Sequence, residues 1–300
     1  MIALTASAGV GLLATENTER DYGIERLGTA SMNVLYKYCD KKGIEIILRT
    51  LELKLPYIPD VNDPYECLPV FYCPDDKPAM KEQCLRTFER NRISPPVKWE
   101  QILDEEFEKG EIQKKLKEEM LEKLRDFNQK SCLLSVSKTA QNAVMWAHYT
   151  EQHKGAVIGI DFNNVYPDTN GPSNLTMHSV KYSKDRIKIN VLSESKQEEF
   201  EKVPLTKSID WSYEEEFRAI FPVNVLRLMR QKKLAYIKDL DGKDIWFLRL
   251  NPVSIREVIF GLYTDESLKS DIRKLIERQD LQHIKLYQAE ESETYTLNLK

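Results

Sequence analysis

The chain has 300 residues, 41% hydrophobic and 31% charged, with a formal net charge of −4. That length suits one large domain or two small ones with a substantial core. Charge of both signs is interleaved, so no overall basic field marks nucleic acid as an obligate partner. Five cysteines without a Cys-x-x-Cys pair, and four scattered histidines, argue against a disulfide framework or a structural zinc site. Buried free thiols in a reducing cytosol are the expectation, so the protein is read as cytoplasmic.

Met1 to Thr15 is small and apolar. It resembles a secretory apolar region, but no Lys or Arg precedes it, Glu16 follows at once, and it is short for a membrane span. It therefore reads as an edge strand or a packed N-terminal arm within residues 1–33, with secretion the lesser reading. Gly9-Val10-Gly11 lacks the Lys-Ser/Thr of a phosphate loop, and no Rossmann fingerprint occurs elsewhere. Leu35-Tyr36-Lys37-Tyr38 has the composition of a short strand. Ile44, Ile47, Leu48 and Leu51 recur at helical spacing. Leu53 to Ile58 is strand-like until Pro59 and the Asp-Val-Asn-Asp-Pro turn stop it.

Residues 75–130 are charged and helical in pattern, with Ile112, Leu116, Met120, Leu124 and Phe127 as an apolar stripe. They read as a helical insertion between two β-rich parts. Cys132 to Ser137 follows as a strand, then a helix over Thr139 to His153 closed by Gly155 as a left-handed cap. Further strands are predicted at Ala156–Phe162, His178–Tyr182, Glu215–Phe221, Ile245–Leu250, Ile255–Gly261 and Ile284–Tyr287, with a helix at Ser267–Arg278. Many strands with few crossover helices predict an α+β fold whose core is largely antiparallel, residues 34–300 forming a single domain.

Four polar islands carry the chemistry. On a strand, Glu214, Glu216 and Arg218 would share one face, with Phe217 and Ala219 towards the core. Two carboxylates side by side need a cation or a ligand between them, although an exposed Glu-x-Glu-x-Arg face is also ordinary. Ser135 and Ser137 would likewise share a face fit to brace a sugar or carboxylate, with solvent-facing serines at a strand end, and Ser137 or Thr139 as the cap of the next helix, as the alternative. Trp146 and Tyr149 lie one turn apart on that helix, a spacing typical of core, and His148 has no partner spacing of a triad or zinc motif. Asn62-Asp63-Pro64 is a turn by chemistry, while Tyr65-Glu66 adds an aromatic face and a carboxylate that a turn does not require.

The order of these islands resembles a bacterial family known as domain of unknown function 2971. Its features correspond here to Leu35–Tyr38, Asn62–Tyr65, Ser135–Ser137, Met145–Tyr149 with His153-Lys154-Gly155, Trp211–Arg218, and Ile255–Gly261. The resemblance spans about residues 34–262 and implies no established reaction. A weaker one is to the ADP-ribosyltransferases, in which an early basic strand, a middle Ser-x-Ser strand and a late Glu-x-Glu strand occur in that order. It implies a split sheet and NAD as a consumed substrate. By that likeness Lys37 meets the diphosphate or ribose, Ser135 and Ser137 brace the site, and Glu214 and Glu216 stabilise charge on the ribose. Lys37 stands where Arg or His is usual, and lacks the bidentate fork.

The leading expectation is therefore an NAD-consuming enzyme that transfers ADP-ribose to a macromolecule or hydrolyses NAD, in the manner of a toxin or phage-defence effector. Glu214 and Glu216 are its catalytic candidates. Tyr36, Lys37, Tyr38, Asn62, Asp63, Tyr65, Ser135, Ser137, Trp146, Tyr149 and Arg218 are its binding candidates. No metal and no membrane are expected; an unknown protein or nucleic-acid acceptor and a regulatory protein partner are. Two alternatives stand beside it: a Mg²⁺-dependent nuclease or phosphodiesterase built on Asp63, Glu66, Glu214 and Glu216, and a non-enzymatic sensor of a protein partner.

Overall fold

The structure is a computed structural model that describes residues 34–166 and 174–300. The expected arm over residues 1–33 lies outside the described residues. Strand β1 (Leu35–Cys39) leads into helix α1 (Lys41–Thr50), opened by the Asp40 carboxylate on the Gly43 amide and closed by Leu51 at a φ of +57°. Strand β2 (Glu52–Leu55) and a 3₁₀ turn (Ile58–Asp60) bring the chain to the Asn-Asp-Pro turn, and strand β3 (Val70–Tyr72) follows. Helices α2 (Lys77–Asn91), α3 (Trp99–Glu108) and α4 (Glu111–Gln129) fill the charged stretch.

Strand β4 (Ser131–Ser137) then enters helix α5 (Ala143–Tyr149), and β5 (Ala156–Ile160) returns. Short strands β6 (His178–Ser179), β7 (Lys181–Ser183) and β8 (Lys188–Asn190) precede α6 (Lys196–Lys202) and β9 (Thr206–Ser208). A 3₁₀ stretch (Ile209–Glu214) runs into β10 (Glu216–Pro222), α7 (Val223–Gln231), β11 (Ala235–Leu240) and β12 (Lys243–Arg249). Strand β13 (Ile255–Phe260), helix α8 (Glu266–Ile276), β14 (Lys285–Glu291) and β15 (Leu297–Leu299) complete the chain.

The fold is α+β. Eight strands form one sheet in the order β15-β14-β13-β5-β1-β4-β10-β6, antiparallel throughout except for the β13–β14 pair. Alternation along β4 and β10 divides their apolar side chains between two of the three buried clusters, the third lying around α5. On one face, Cys132, Leu134 and Val136 of β4 and Ala219 and Phe221 of β10 join the main core over α1 and α8. On the other, Leu133 of β4 belongs to the core of α2, α3 and α4, with Ile220 of β10 packed against it. Register places Leu133 opposite Ile220, Ser135 opposite Arg218 and Ser137 opposite Glu216. One face thus runs from an apolar end under the helices to a polar end beyond them.

Two local readings change. Helix α5 is shorter than the predicted 139–153 span because Asn142, not Ser137 or Thr139, is its cap: its side chain accepts the amides of Val144 and Met145. Gly155 is not the left-handed closing residue; Glu151, Gln152 and His153 take positive φ values instead. Glycine is required at 155 because a Cβ there would lie 2.1 Å from the Cys39 carbonyl oxygen. Cys39, Cys67, Cys84 and Cys132 are buried free thiols, and Cys73 is half-buried. Among the described residues no helix is long and apolar enough to cross a membrane.

Candidate functional site

The polar end of that face opens into a cleft of about 230 Å³. Three adjacent strands supply its floor. From β1 come Tyr36 and Tyr38, whose face of the strand also packs against α5. Alternation groups Lys37 with Leu35 and Cys39, yet its ammonium reaches the cleft by donating to the Ser135 carbonyl at 2.9 Å. Burial lowers the Lys37 pKa, against the opposing pull of nearby Glu216 and Glu214. From β4 come Ser135 and Ser137. The Ser135 hydroxyl is a hydrogen-bond partner of Glu216, while Ser137 Oγ accepts the Thr139 amide.

Behind the floor lies a buried ion network. Arg218 Nε donates to Glu216 Oε1 at 2.6 Å and Nη2 to Glu216 Oε2 at 3.0 Å. Its other donors reach Glu66, at 2.7 Å from Nη1 and 2.6 Å from Nη2, and the Pro204 carbonyl at 2.8 Å. All five N–H donors of the guanidinium are thereby used, and Arg218 is 1% exposed. It has no donor left for a ligand, so the binding role expected of Arg218 gives way to a structural one. Lys207 Nζ bridges Glu214 Oε2 at 2.6 Å and Glu216 Oε2 at 3.3 Å, and lies 4.6 Å above the Trp211 ring.

The two candidate carboxylates behave differently. Burial alone would raise the Glu216 pKa, but the Arg218 guanidinium and Lys207 ammonium hold it down at about 2. The Glu214 pKa is raised, because burial outweighs the help from Lys207 and from the Tyr149 hydroxyl. Glu214 is also not on the strand as expected. It ends the 3₁₀ stretch, and Glu215 turns the chain at a φ of +42° before β10 begins. The pair meets through Lys207 rather than through strand alternation. Both are buried, so the exposed-face reading of Glu-x-Glu-x-Arg fails.

Helix α5 and the Asn-Asp-Pro turn form the rim. Tyr149 donates to Glu214 Oε1 at 2.6 Å, and the Asn62 amide donates to the Tyr149 oxygen at 3.0 Å. Three other candidates lie apart. Trp146 is fully buried, edge-on to Tyr38 and bonded to the Ala140 carbonyl, so it supports the floor from beneath. Asp63 accepts the Tyr65 amide and serves the turn. Tyr65 points to a separate cleft, stacked under Arg186. His148 is exposed and bonded to the Tyr213 hydroxyl rather than packed in a core. Of the four carboxylates of the metal-site alternative, Asp63 serves a turn, while Glu66, Glu214 and Glu216 are already paired with Arg218 and Lys207.

A family model described as "Protein of unknown function (DUF2971)" matches residues 145–219. Within the DUF2971 match lie the Met145–Tyr149 helix, His153-Lys154-Gly155 and the Trp211–Arg218 island, the last of which holds both candidate carboxylates and Arg218; Lys207, on β9, also falls within the match. The islands at Leu35–Tyr38, Asn62–Tyr65, Ser135–Ser137 and Ile255–Gly261 fall outside it. No curated protein and no solved structure matches the chain.

Sequence reasoning missed Lys207 entirely and gave Glu66 too small a part. Lys207 sits on a three-residue strand, too short for any periodicity to show. Glu66 is separated from its partner Arg218 by 152 positions. The one local sign was the pair of carboxylates at 214 and 216, which demanded more positive charge than Arg218 alone supplies.

Proposed function

We propose that the cleft binds NAD and breaks the bond between its nicotinamide and ribose, passing ADP-ribose to a macromolecular acceptor or to water. The observation that supports this reading is the adjacency of β1, β4 and β10, which brings Lys37, Ser135 and the Glu214–Glu216 pair to one cleft. In the reaction the nicotinamide leaves with the bonding electrons, positive charge develops at the sugar carbon, and an acceptor oxygen or nitrogen adds there and loses its proton. A carboxylate fixed beforehand stabilises that charge without reorganising. Glu214 suits this role, because its charge is not shared with Arg218. Glu216 positions it through Lys207. Tyr36 and Tyr38 offer aromatic surface to a nicotinamide ring, and Lys37 a point charge to a phosphate.

The test is release of free nicotinamide from NAD by the purified protein, followed chromatographically. Glu214→Gln, which keeps the shape of the side chain, is expected to slow release by about a hundredfold or more with little change in melting temperature. A wild-type protein that neither gains thermal stability from NAD nor releases nicotinamide overturns the proposal. Stabilisation without release would instead favour a nucleotide sensor.

A further inference from the structure

A second cleft, of about 380 Å³, lies across Lys207 from the first. Its wall contains Tyr65, 62% exposed, together with Lys184, Arg186, Ser183 and Ser208. Arg186 is held differently from Arg218. Its Nε and Nη2 donate to the backbone carbonyls of Leu68 and Pro69, at 2.7 and 2.9 Å, and its guanidinium lies 5.6 Å from the Tyr65 ring centre. Neutral acceptors fix the group in place and leave its charge uncompensated. Among the described residues neither Lys184 nor Arg186 forms an ion pair with a carboxylate, and Asp185 is the sole acidic residue lining the cleft. Exposed Lys181 and Lys188 lie on β7 and β8, on either side in sequence of the lining segment 183–187. Ser208 already donates to the Asp210 carboxylate and Lys207 is paired with Glu214 and Glu216, so the uncompensated charge of the cleft is that of Lys184 and Arg186.

An exposed aromatic ring, a prefixed guanidinium, a free ammonium and the Ser183 hydroxyl in a cavity of this size match one chemical class. We infer that the second cleft binds a nucleotide, its base against Tyr65 and its phosphate on Lys184 and Arg186. The inference rests on this cleft alone and does not need the reaction proposed for the first. The nucleotide has two possible sources: a free nucleotide, such as the far half of a dinucleotide entering the first cleft, or one unit of a single-stranded nucleic-acid acceptor.

Calorimetric titration of the full chain with ADP, and separately with a short oligothymidylate, tests it. Wild-type protein is expected to bind at least one of them, more weakly as salt rises. Tyr65→Ala and Lys184→Glu, both at exposed positions, are expected to weaken that binding about tenfold or more without lowering the melting temperature. Preference for ADP assigns the site to a free nucleotide, and preference for the oligonucleotide to a strand. No binding of either probe, or unchanged affinity in both variants, overturns the inference. Neither probe carries nicotinamide, so such a failure is separate from any failure of nicotinamide release.

Discussion

Arg218 shows how much one side chain can decide. A guanidinium that is 1% exposed is tolerable only because Glu66 and Glu216 each take two of its hydrogen bonds and Pro204 takes the last. Arg218→Met would leave both carboxylates buried without that partner. It is expected to cost about 3–5 kcal/mol, measured by urea unfolding. The same pairing sets an acid response. The folded Glu216 pKa is about 2 against an ordinary 4.5, so its contribution to stability is full above 4.5 and is lost as pH falls from there towards 2. Glu214 is shifted the other way: its folded form holds a proton more tightly than the unfolded chain, so stability rises as pH falls through its raised pKa towards 4.5. Melting temperature should therefore hold or rise slightly on mild acidification, then drop below pH 4.5. That drop should shrink in Glu216→Gln.

Elements here end where tertiary contacts, rather than propensity, require it. The residues after α5 have no strong helix breaker, yet the helix stops at Tyr149 and three successive residues take positive φ. The resulting turn lets Gly155 come against the Cys39 carbonyl at the end of β1. Were Gly155 a left-handed cap, Asn would replace it well. In this structure even Ala is too large. Gly155→Ala and Gly155→Asn are both expected to destabilise by at least about 1–3 kcal/mol, seen as a lowered denaturation midpoint. At the other end of α5, Asn142→Ala removes the cap and a 2.9 Å bond to the Tyr213 carbonyl. A loss of about 1–2 kcal/mol is expected; on the reading proposed above it is accompanied by slower nicotinamide release, because α5 carries Tyr149 to Glu214.

For the whole molecule, β4 is the hinge of the design. It gives Leu133 to the helical core and Cys132, Leu134 and Val136 to the main one, so neither core opens without disturbing the other. The buried network adds a second tie, joining the loop of Glu66 to the sheet. The two cores should accordingly unfold in one transition. Met80→Ala in α2, at a fully buried position, is expected to lower the stability of the entire chain by about 2–5 kcal/mol. Hydrogen exchange checks the coupling: amides of β4 and β10 should exchange last, those of edge strand β15 early. Helices α2 to α4 exchanging as a separate early unit would contradict it.

Much of the fold was legible in the chain, for a local reason. Leu35–Tyr38, the apolar stripe of α4, Cys132–Ser137 and Ile255–Gly261 carry their period within a few residues, and period is set by backbone geometry. The polar islands were legible as well, since clustered serines, tyrosines and carboxylates exceed what strands and turns need. Which island faces which was not. Glu66 pairs with Arg218 across 152 positions, Lys207 comes from a strand three residues long, and Tyr65 turns away to a cleft of its own. Those partnerships depend on sheet order and register, which bring distant strands together through contacts that no stretch of sequence contains. Local sequence determined the elements and the kinds of chemistry present; only the tertiary structure decided which charges neutralise one another and which stay unpaired.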